Sequence, residues 1–211
     1  FMKATMKKFI YTLLIIPILY FQSCTSEGES NSVLVTPHPL ATEVGQTIFE
    51  LGGNAFDVAV ASGFALSVVE PSMSGIGGRM QAIYFTNDSL GGIDGTTQVP
   101  SSYIHDEYED GYKLVGIPGV VHGLITLHES RGNLTLQQLL KPSIELARNG
   151  FELTQGNVIR LNMATSHIRN NSKTDKYYIG ESLYQIGDTL IQKDLANVLT
   201  EISNNGIDGF Y

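Results

Sequence analysis

The chain has 211 residues, a formal net charge of −8 at pH 7, 42% hydrophobic residues and a single cysteine. This acidic balance disfavours nucleic acid as a partner, because binding the phosphate backbone depends on clustered cations. One cysteine excludes an intrachain disulfide, and the length is sufficient for one domain with a sizeable core.

The first 24 residues have the pattern of a secretory signal peptide. Lys7 and Lys8 supply a positively charged start, and the predominantly apolar residues 9–21 follow. Thirteen residues are too few for a helix to span a bilayer comfortably, but they suit the apolar core of a signal peptide. We therefore predict that residues 1–24 direct export.

Cys24 follows the apolar segment and a small residue, as the lipidated cysteine of a lipoprotein signal does. The alternative is a signal peptidase I site that lies beside a free cysteine. The polar residues 25–32 predict a flexible tether. Without residues 1–23 the chain keeps 10 Lys and Arg against 21 Asp and Glu, a net charge of −11. We expect an exported protein in the periplasm or at the cell surface, lipid-anchored to the membrane.

The body of the chain begins with a predicted strand at 33–35 and a helix at 41–51, where apolar residues recur at helical spacing. Asn54 is expected to cap a second helix that runs to about Val69. The many Ala and Gly residues of this helix leave little side chain, so we expect a buried helix that packs closely against a sheet.

A hairpin is predicted next. Residues 72–78 indicate a loop, 80–85 a strand, Asn87-Asp88 a turn, and 92–97 the antiparallel partner strand. The acidic and aromatic residues 101–112 indicate a surface excursion.

Four further helices are predicted from the remaining residues. Thr135 and Gln138 form a capping-box pattern, and that helix is expected to break at Lys141 and to restart at Pro142. Residues 170–185 indicate a loop. Helices mixed with hairpin strands give an α+β layered domain. The helices are expected at 118–128, 135–150 with its break, 154–168 and around 195–202, the last one ending near Gly206.

Several sequence blocks together resemble the large-subunit part of the gamma-glutamyltransferase family of N-terminal-nucleophile hydrolases. Each block alone is a weak signal, but their shared order is specific. The resemblance extends over residues 33–211. The blocks lie at 38–42, 52–59, 70–78, 116–123, 141–151, 187–196 and 206–211.

The resemblance implies a four-layer αββα sandwich, made as a precursor that cuts itself before a threonine. That threonine becomes the nucleophile at the N-terminus of a small subunit, and its own amino group serves as base. No cofactor is implied. We expect the nucleophile downstream of this sequence, so no residue of the chain is assigned as catalytic. Thr96 and Thr97 follow a glycine, but they stand at the end of the predicted hairpin and are interpreted as strand residues.

The chain departs from the family at the residues that bind substrate. The resemblance places Thr96 where the family has an arginine that grips the substrate's α-carboxylate. A threonine hydroxyl cannot replace the charge and bidentate geometry of a guanidinium. Arg79 also differs from the family pattern. It either reaches into the pocket and binds the carboxylate instead, or it is a surface arginine at a loop-to-strand junction.

Other polar residues are interpreted structurally. His38, His122 and His128 are too far apart in sequence to form a recognisable metal site, and no metal is predicted. Asp57 and Glu70 flank the helix of small residues, and we interpret both as buried hydrogen-bonding partners for loop backbone. The glycines at 75–78 precede a strand and lack the lysine of a phosphate-binding P-loop.

The resulting hypothesis is an exported hydrolase or transferase that cleaves gamma-glutamyl compounds or related small amides through an acyl-enzyme. Its partners would be the substrate, its own small subunit and the membrane. An acylase of the same fold that acts on another carboxylated amide is one alternative. A surface lipoprotein that binds ligands without catalysis is another.

Overall fold

The computed structural model describes residues 32–101, 103, 115–169 and 183–211. The chain divides into units 1–33 and 34–211, and the elements described below belong to the second unit. The predicted signal peptide, Cys24, most of the tether and nearly all of the predicted excursion at 101–112 lie outside the described residues.

Helices alternate along the chain with strands that form two short antiparallel pairs, which confirms the predicted α+β class. In chain order the elements are α1 (Pro39–Glu50), α2 (Ala55–Val69), α3 (Pro71–Ser74), β1 (Met80–Thr86), β2 (Ser89–Gly95), α4 (Val120–Arg131), α5 (Leu136–Asn149), β3 (Phe151–Glu152), α6 (Gln155–Arg169), β4 (Thr189–Leu190), α7 (Lys193–Asn205) and a 3₁₀ turn (Gly206–Gly209). The strand predicted at 33–35 is wrong, because this segment pairs with no described strand.

Helix α2 begins with a reciprocal capping box, which confirms the predicted cap at Asn54. The Asn54 side chain accepts the main-chain N–H groups of Phe56 and Asp57 at 2.8 and 3.0 Å, and Asp57 accepts the N–H of Asn54 at 2.9 Å. These bonds satisfy N–H groups that the first turn of a helix otherwise leaves unpaired.

The middle of α2 is buried, with Val60, Ala61, Phe64 and Ala65 fully inaccessible to solvent. Its main neighbours are α1, α4 and α5. The predicted close approach is confirmed, since a Cβ added at Gly63 would lie 2.8 Å from a methyl carbon of Leu124. The predicted packing against a sheet is found only at the start of α2, where the rings of Phe56 and of Tyr84 in β1 meet edge to face with centroids 5.3 Å apart. The main neighbours of the helix are other helices.

The β1–β2 hairpin turns at Asn87 and Asp88, as predicted. Both residues have positive φ angles, 50° and 57°, as the tight turn that matches strand twist requires. Register follows from this two-residue turn: Thr86 pairs with Ser89, and Met80 pairs with Gly95. The second strand therefore begins earlier than the predicted residue 92 and ends before Thr96.

Only one face of this hairpin is covered. Tyr84 and Ile93 pack against the core, while Ile83, Phe85 and Leu90 are 83%, 70% and 73% exposed. The alternation follows from the two-residue period of a strand. The result is an apolar surface, which we call the outer hairpin face.

Helix α5 begins with the predicted capping box, because Thr135 Oγ1 accepts the N–H of Gln138 at 3.3 Å and Gln138 Oε1 accepts the N–H of Thr135 at 3.0 Å. The predicted break at Lys141 is wrong, since α5 continues through Pro142. Proline loses one backbone hydrogen bond. Buried residues before and after the proline form one stripe, and this stripe keeps the helix packed against α2 and α7. The stripe consists of Leu136, Leu139, Leu140, Ser143 and Ala147.

The C-terminal part of the chain follows its sequence pattern. The helix predicted at 154–168 is α6, and the last predicted helix is α7, which ends at Gly206 with φ 60°. Strand β3, which precedes α6, pairs antiparallel with strand β4, which precedes α7. Most of the predicted loop at 170–185 lies outside the described residues.

Candidate functional site

A cleft of about 360 Å³ lies where the end of β2 meets the start of α4. We call it the Thr96 cleft. It is lined by Asp94, Gly95, Thr96, Gln98, Ile117, Pro118, Gly119, His122, Ile207 and Tyr211. Three separate stretches of the chain therefore contribute to one concave site, as is usual for small-molecule sites.

Close backbone contacts form the floor of the Thr96 cleft. Gly119 donates its N–H to the carbonyl of Gly78 at 3.0 Å, and Gln98 and Ile117 exchange two main-chain hydrogen bonds of 3.0 and 2.8 Å. A Cβ at Gly95 would lie 2.7 Å from the carbonyl oxygen of Gly119. Glycine is required at this position because the two main chains approach more closely than any side chain allows.

Asp94 and Thr96 form a local turn inside the cleft. Asp94 Oδ1 accepts the main-chain N–H of Thr96 at 3.1 Å and also accepts the Thr96 hydroxyl. These donors stabilise the charged carboxylate, so the pKa of Asp94 lies below its ordinary value of 3.8, with the hydroxyl of Thr96 as the largest cause. The carboxylate is therefore ionised at neutral pH and is a weak base.

The low basicity of Asp94 decides whether this carboxylate could activate the Thr96 hydroxyl as a nucleophile. A nucleophilic hydroxyl needs a neighbouring base that can take its proton, and a carboxylate with a lowered pKa is poorly suited to this. Neither Thr96 nor Thr97 is bonded to a histidine or lysine among the described residues. The arrangement fits a structural role for this pair, but the predicted strand position is wrong, because β2 ends at Gly95.

The opposite wall of the cleft is held by Tyr211. Its hydroxyl donates to the carbonyl of Pro118 at 2.6 Å and accepts the main-chain N–H of His122 at 3.3 Å. The rings of His122 and Tyr211 meet edge to face, with centroids 6.5 Å apart. Tyr211 thus fixes the start of α4 against the 3₁₀ turn, and His122 is exposed at the cleft.

The structure does not bring Arg79 to the cleft. Arg79 is exposed in the segment that leads into β1 and does not line the Thr96 cleft. Thr96, by contrast, lies in it. A role for either residue in binding substrate stays a prediction.

Sequence reasoning assigned no binding role to Asp94, Gln98 or Tyr211, and it interpreted His122 as structural. The Asp-x-Thr spacing is the one local signal, because an Asp side chain readily bonds the N–H two residues later. The other residues meet only through tertiary contacts, so no local pattern could identify them.

A second cleft of about 390 Å³ lies along the glycines at 75–78 and is lined in part by Ser67, Gln192 and Leu195. Gln192 is buried and donates to the carbonyl of Val68 at 2.8 Å. Asn157 donates in the same way to Val69 at 2.8 Å. Two side chains from distant parts of the chain therefore satisfy the last carbonyl groups of α2. These two hydrogen bonds hold the start of the glycine loop in place.

Of the two buried acids, Asp57 has its predicted role and Glu70 does not. Asp57 is fully buried and accepts the main-chain N–H groups of Asn133 and Leu134, as predicted. Glu70 is buried too, but its partner is not the loop backbone, so that prediction is wrong. Its carboxylate instead forms an ion pair with Arg160 of α6, at 2.9 and 3.2 Å. A buried carboxylate needs such a partner because desolvation penalises an isolated charge.

Two of the three histidines have the predicted structural roles. His38 is buried; its Nδ1 accepts the N–H of Leu40 at 3.2 Å and thereby caps α1. His128 Nε2 lies 2.8 Å from the carbonyl oxygen of Leu134. Within the described part of the chain no group of three His, Cys, Asp or Glu side chains is placed to hold a metal ion. No described helix is long and apolar enough to cross a membrane.

Comparison with known proteins adds the family. The sequence profile described as gamma-glutamyltranspeptidase matches residues 41–211. The glutathione hydrolase proenzyme of Pseudomonas sp. (strain A14) is 36% identical over 199 residues, covering 87% of this chain and 35% of its own length. The acylase ACY 1 proenzyme of Pseudomonas sp. (strain V22) is 34% identical over 203 residues, covering 86% of this chain and 36% of its own length.

A solved structure agrees with the fold. The gamma-glutamyltranspeptidase of Helicobacter pylori superposes with a TM-score of 0.81 at 36% identity, over 85% of this chain and 56% of that one. This agreement confirms the predicted N-terminal-nucleophile hydrolase fold. The chain spans about a third of the length of the curated relatives it matches.

Proposed function

The chain belongs to the gamma-glutamyltranspeptidase family, and we propose that it is part of an exported hydrolase or transferase precursor. The complete protein cleaves gamma-glutamyl compounds or related small amides and passes the acyl group to water or to an amine. The match of the family profile to residues 41–211 carries this proposal. The Thr96 cleft is the part of the substrate site that the described residues supply.

The nucleophile of this proposal is a threonine outside the 211 residues, released at the N-terminus of a small subunit by self-cleavage. Two observations support it. The relatives are named as proenzymes, and the hydroxyl of Thr96 is bonded to an ionised carboxylate of low basicity. An N-terminal threonine carries its own base and needs none from this part of the chain.

We propose that the small subunit packs on the outer hairpin face. The side chains of Ile83, Phe85 and Leu90 form this face and are mostly exposed. Apolar patches of this kind mark interaction surfaces in soluble proteins. Covering them would complete the two-sheet core of the sandwich.

Export and lipid anchoring belong to the same proposal. The sequence of residues 1–24 supports a signal peptide, and Cys24 supports a lipid anchor that holds the protein at the membrane, in the periplasm or at the cell surface.

The test is to express the full-length product of the reading frame and to follow its processing. We expect self-cleavage into two chains, a threonine at the new N-terminus by Edman or mass-spectrometric sequencing, and release of nitroaniline from a gamma-glutamyl p-nitroanilide. Replacing that threonine by alanine is the control and abolishes both cleavage and turnover. Residues 25–211 alone should release no nitroaniline. Turnover by this fragment would contradict a nucleophile outside it.

A second candidate is an acylase that acts on another small carboxylated amide. The identity to an acylase proenzyme favours it, as does the Thr96 cleft, where the part of the lining that the structure describes contains no lysine or arginine. Comparing kcat/KM for a gamma-glutamyl anilide and for a panel of other carboxylated amides decides between the two. A gamma-glutamyl donor that ranks first would exclude this candidate.

A further inference from the structure

The Thr96 cleft offers mainly hydrogen-bond acceptors to a ligand, because most of its side-chain donors are already used by the protein. The Thr96 hydroxyl donates to Asp94 Oδ1. The Gln98 side-chain amide donates to the carbonyl of Thr96 at 3.3 Å, and the Tyr211 hydroxyl donates to the carbonyl of Pro118 at 2.6 Å. Each hydroxyl has one proton to give, so Thr96 and Tyr211 have none left for a ligand.

Three acceptors remain open on the same side of the cleft. Asp94 Oδ2 and the side-chain oxygen of Gln98, Oε1, accept no hydrogen bond from any described residue, since the donors to Asp94 all reach Oδ1. Thr96 Oγ1 keeps its lone pairs after donating its proton. A ligand that contacts these three acceptor atoms therefore has to supply the donors.

The charge of the cleft also favours a ligand that donates hydrogen bonds. Asp94 is ionised, since the bonds from Thr96 lower its pKa, and no lysine or arginine is among the described residues that line the cleft. A ligand carboxylate beside Asp94 would meet a like charge and open lone pairs. An amide N–H, a hydroxyl or an ammonium would instead form a charge-assisted hydrogen bond there.

His122 is exposed at the cleft, and its ring can donate or accept. Thr126 Oγ1 donates to the carbonyl of His122 at 2.8 Å and lies 3.5 Å from His122 Nδ1. Because either ring nitrogen can carry the proton, His122 accepts a donor from a ligand as readily as it supplies one.

We propose that the substrate carries an uncharged or cationic hydrogen-bond donor, rather than a carboxylate, where it contacts Asp94 and Thr96. This inference rests on the proposed function and specifies its substrate class. That class is small amides of gamma-linked type whose α-substituent is a carboxamide or a comparable donor.

A matched pair of substrates tests the proposal on the full-length, processed protein. One is a glutamic acid γ-p-nitroanilide with a free α-carboxylate, and the other is the same anilide with an α-carboxamide of nearly the same shape. We expect kcat/KM to be roughly ten- to a hundredfold higher for the carboxamide, as for one charge-assisted hydrogen bond gained. Equal values, or a preference for the carboxylate, would overturn the inference.

Charge placed in the cleft provides the second arm. Thr96→Arg introduces a guanidinium that binds carboxylates bidentately, and we expect it to reverse the preference of the two substrates. Ser89→Arg adds the same charge at the far end of the hairpin and should leave the preference unchanged. A Thr96→Arg protein that keeps the original preference would also overturn the inference.

The two proposals fail in different ways. A wild-type protein that cleaves the carboxylate anilide better retains the proposed function and loses this inference. A full-length protein that neither processes itself nor turns over either anilide loses both.

Discussion

Both carboxylate oxygens of Asp57 lie within hydrogen-bond distance of the main-chain nitrogen of Asn133, at 3.0 and 3.1 Å. The same carboxylate caps its own helix through Asn54. One buried side chain therefore joins the start of α2 to the segment between α4 and α5. In the family resemblance Asp57 belongs to a block of small and polar residues, and the structure gives this acid a purely architectural role.

The first prediction follows from this contact. Asp57→Asn replaces one of two accepting oxygens by an NH₂ group, so at least one of the main-chain N–H groups of Asn54, Asn133 and Leu134 loses its partner. A buried unpaired polar group costs about 1–3 kcal/mol, which corresponds to a fall in Tm of roughly 2–4 °C per kcal/mol for a domain of this size. Differential scanning fluorimetry of the full-length protein measures it. Asp88→Asn, at the exposed hairpin turn, is the matched control and should leave Tm unchanged.

The ion pair of Glu70 and Arg160 gives a second prediction. Arg160→Met leaves a buried carboxylate without its partner and should destabilise the fold by about 1–3 kcal/mol. The exposure of the Arg160 side chain, 42%, keeps the effect below that of a fully buried pair. The double variant Glu70→Gln/Arg160→Met should be more stable than Arg160→Met alone, because it removes the unpaired charge. Urea unfolding measures the wild-type protein and both variants. A double variant as unstable as the single one would show that the pairing is not the cause.

The third prediction concerns the pKa of Asp94. Thr96→Val removes the hydroxyl that most lowers this pKa, so the pKa should rise toward 3.8. Because the folded-state pKa is the lower one, the contact stabilises the turn above pH 3.8, and this contribution is lost as the pH falls through the folded-state pKa. NMR titration of ¹³C-labelled aspartate carboxyl groups follows the change. Thr97→Val removes a neighbouring hydroxyl of the same shape and should leave Asp94 as it is.

The fourth prediction tests the outer hairpin face. If the small subunit covers it, Ile83→Ser/Phe85→Ser should weaken the association of the two processed chains, since each buried side chain of this size contributes about 1.5–3 kcal/mol. Size-exclusion chromatography after processing measures how much of the two chains elutes together. Val35→Ser, at an equally exposed apolar residue outside the hairpin, is the control. Unchanged co-elution of the double variant would place the subunit contact elsewhere.

The fifth prediction concerns Cys24. If it carries a lipid, the full-length protein should partition into detergent and incorporate labelled palmitate in a bacterial host, and Cys24→Ala should abolish both. Each buried CH₂ contributes about 0.8 kcal/mol, so the several acyl chains of a lipoprotein anchor firmly. Ser23→Ala keeps a small residue before the cysteine and serves as the control. A Cys24→Ala protein that is still labelled would exclude this anchor.

Local sequence patterns predicted the parts of the fold that depend on neighbouring residues. The caps at Asn54 and Thr135 join residues three positions apart, and the turn at Asn87 is set by two adjacent residues. Such interactions need no tertiary contact, so their residues suffice to identify them. The resemblance to a family added the overall fold and directed attention to Thr96.

Packing alone decided the remaining features. Helix α5 continues through Pro142 because its buried stripe contacts α2 and α7 on both sides of the proline, although the local pattern predicts a break. Glu70 pairs with Arg160, 90 residues away, and no spacing in the sequence indicates that pair.

The site shows the same division. The sequence by itself determined that Thr96 lies at the end of the hairpin, although it placed this residue inside the strand, which ends at Gly95. The bond from the Thr96 N–H to Asp94 is local too, since it joins residues two positions apart. Only the tertiary structure placed His122 and Tyr211 across the cleft and used the cleft's side-chain donors within the protein. Which groups remain open to a ligand depends on the folded positions of residues more than a hundred positions apart, and a linear pattern does not contain those positions.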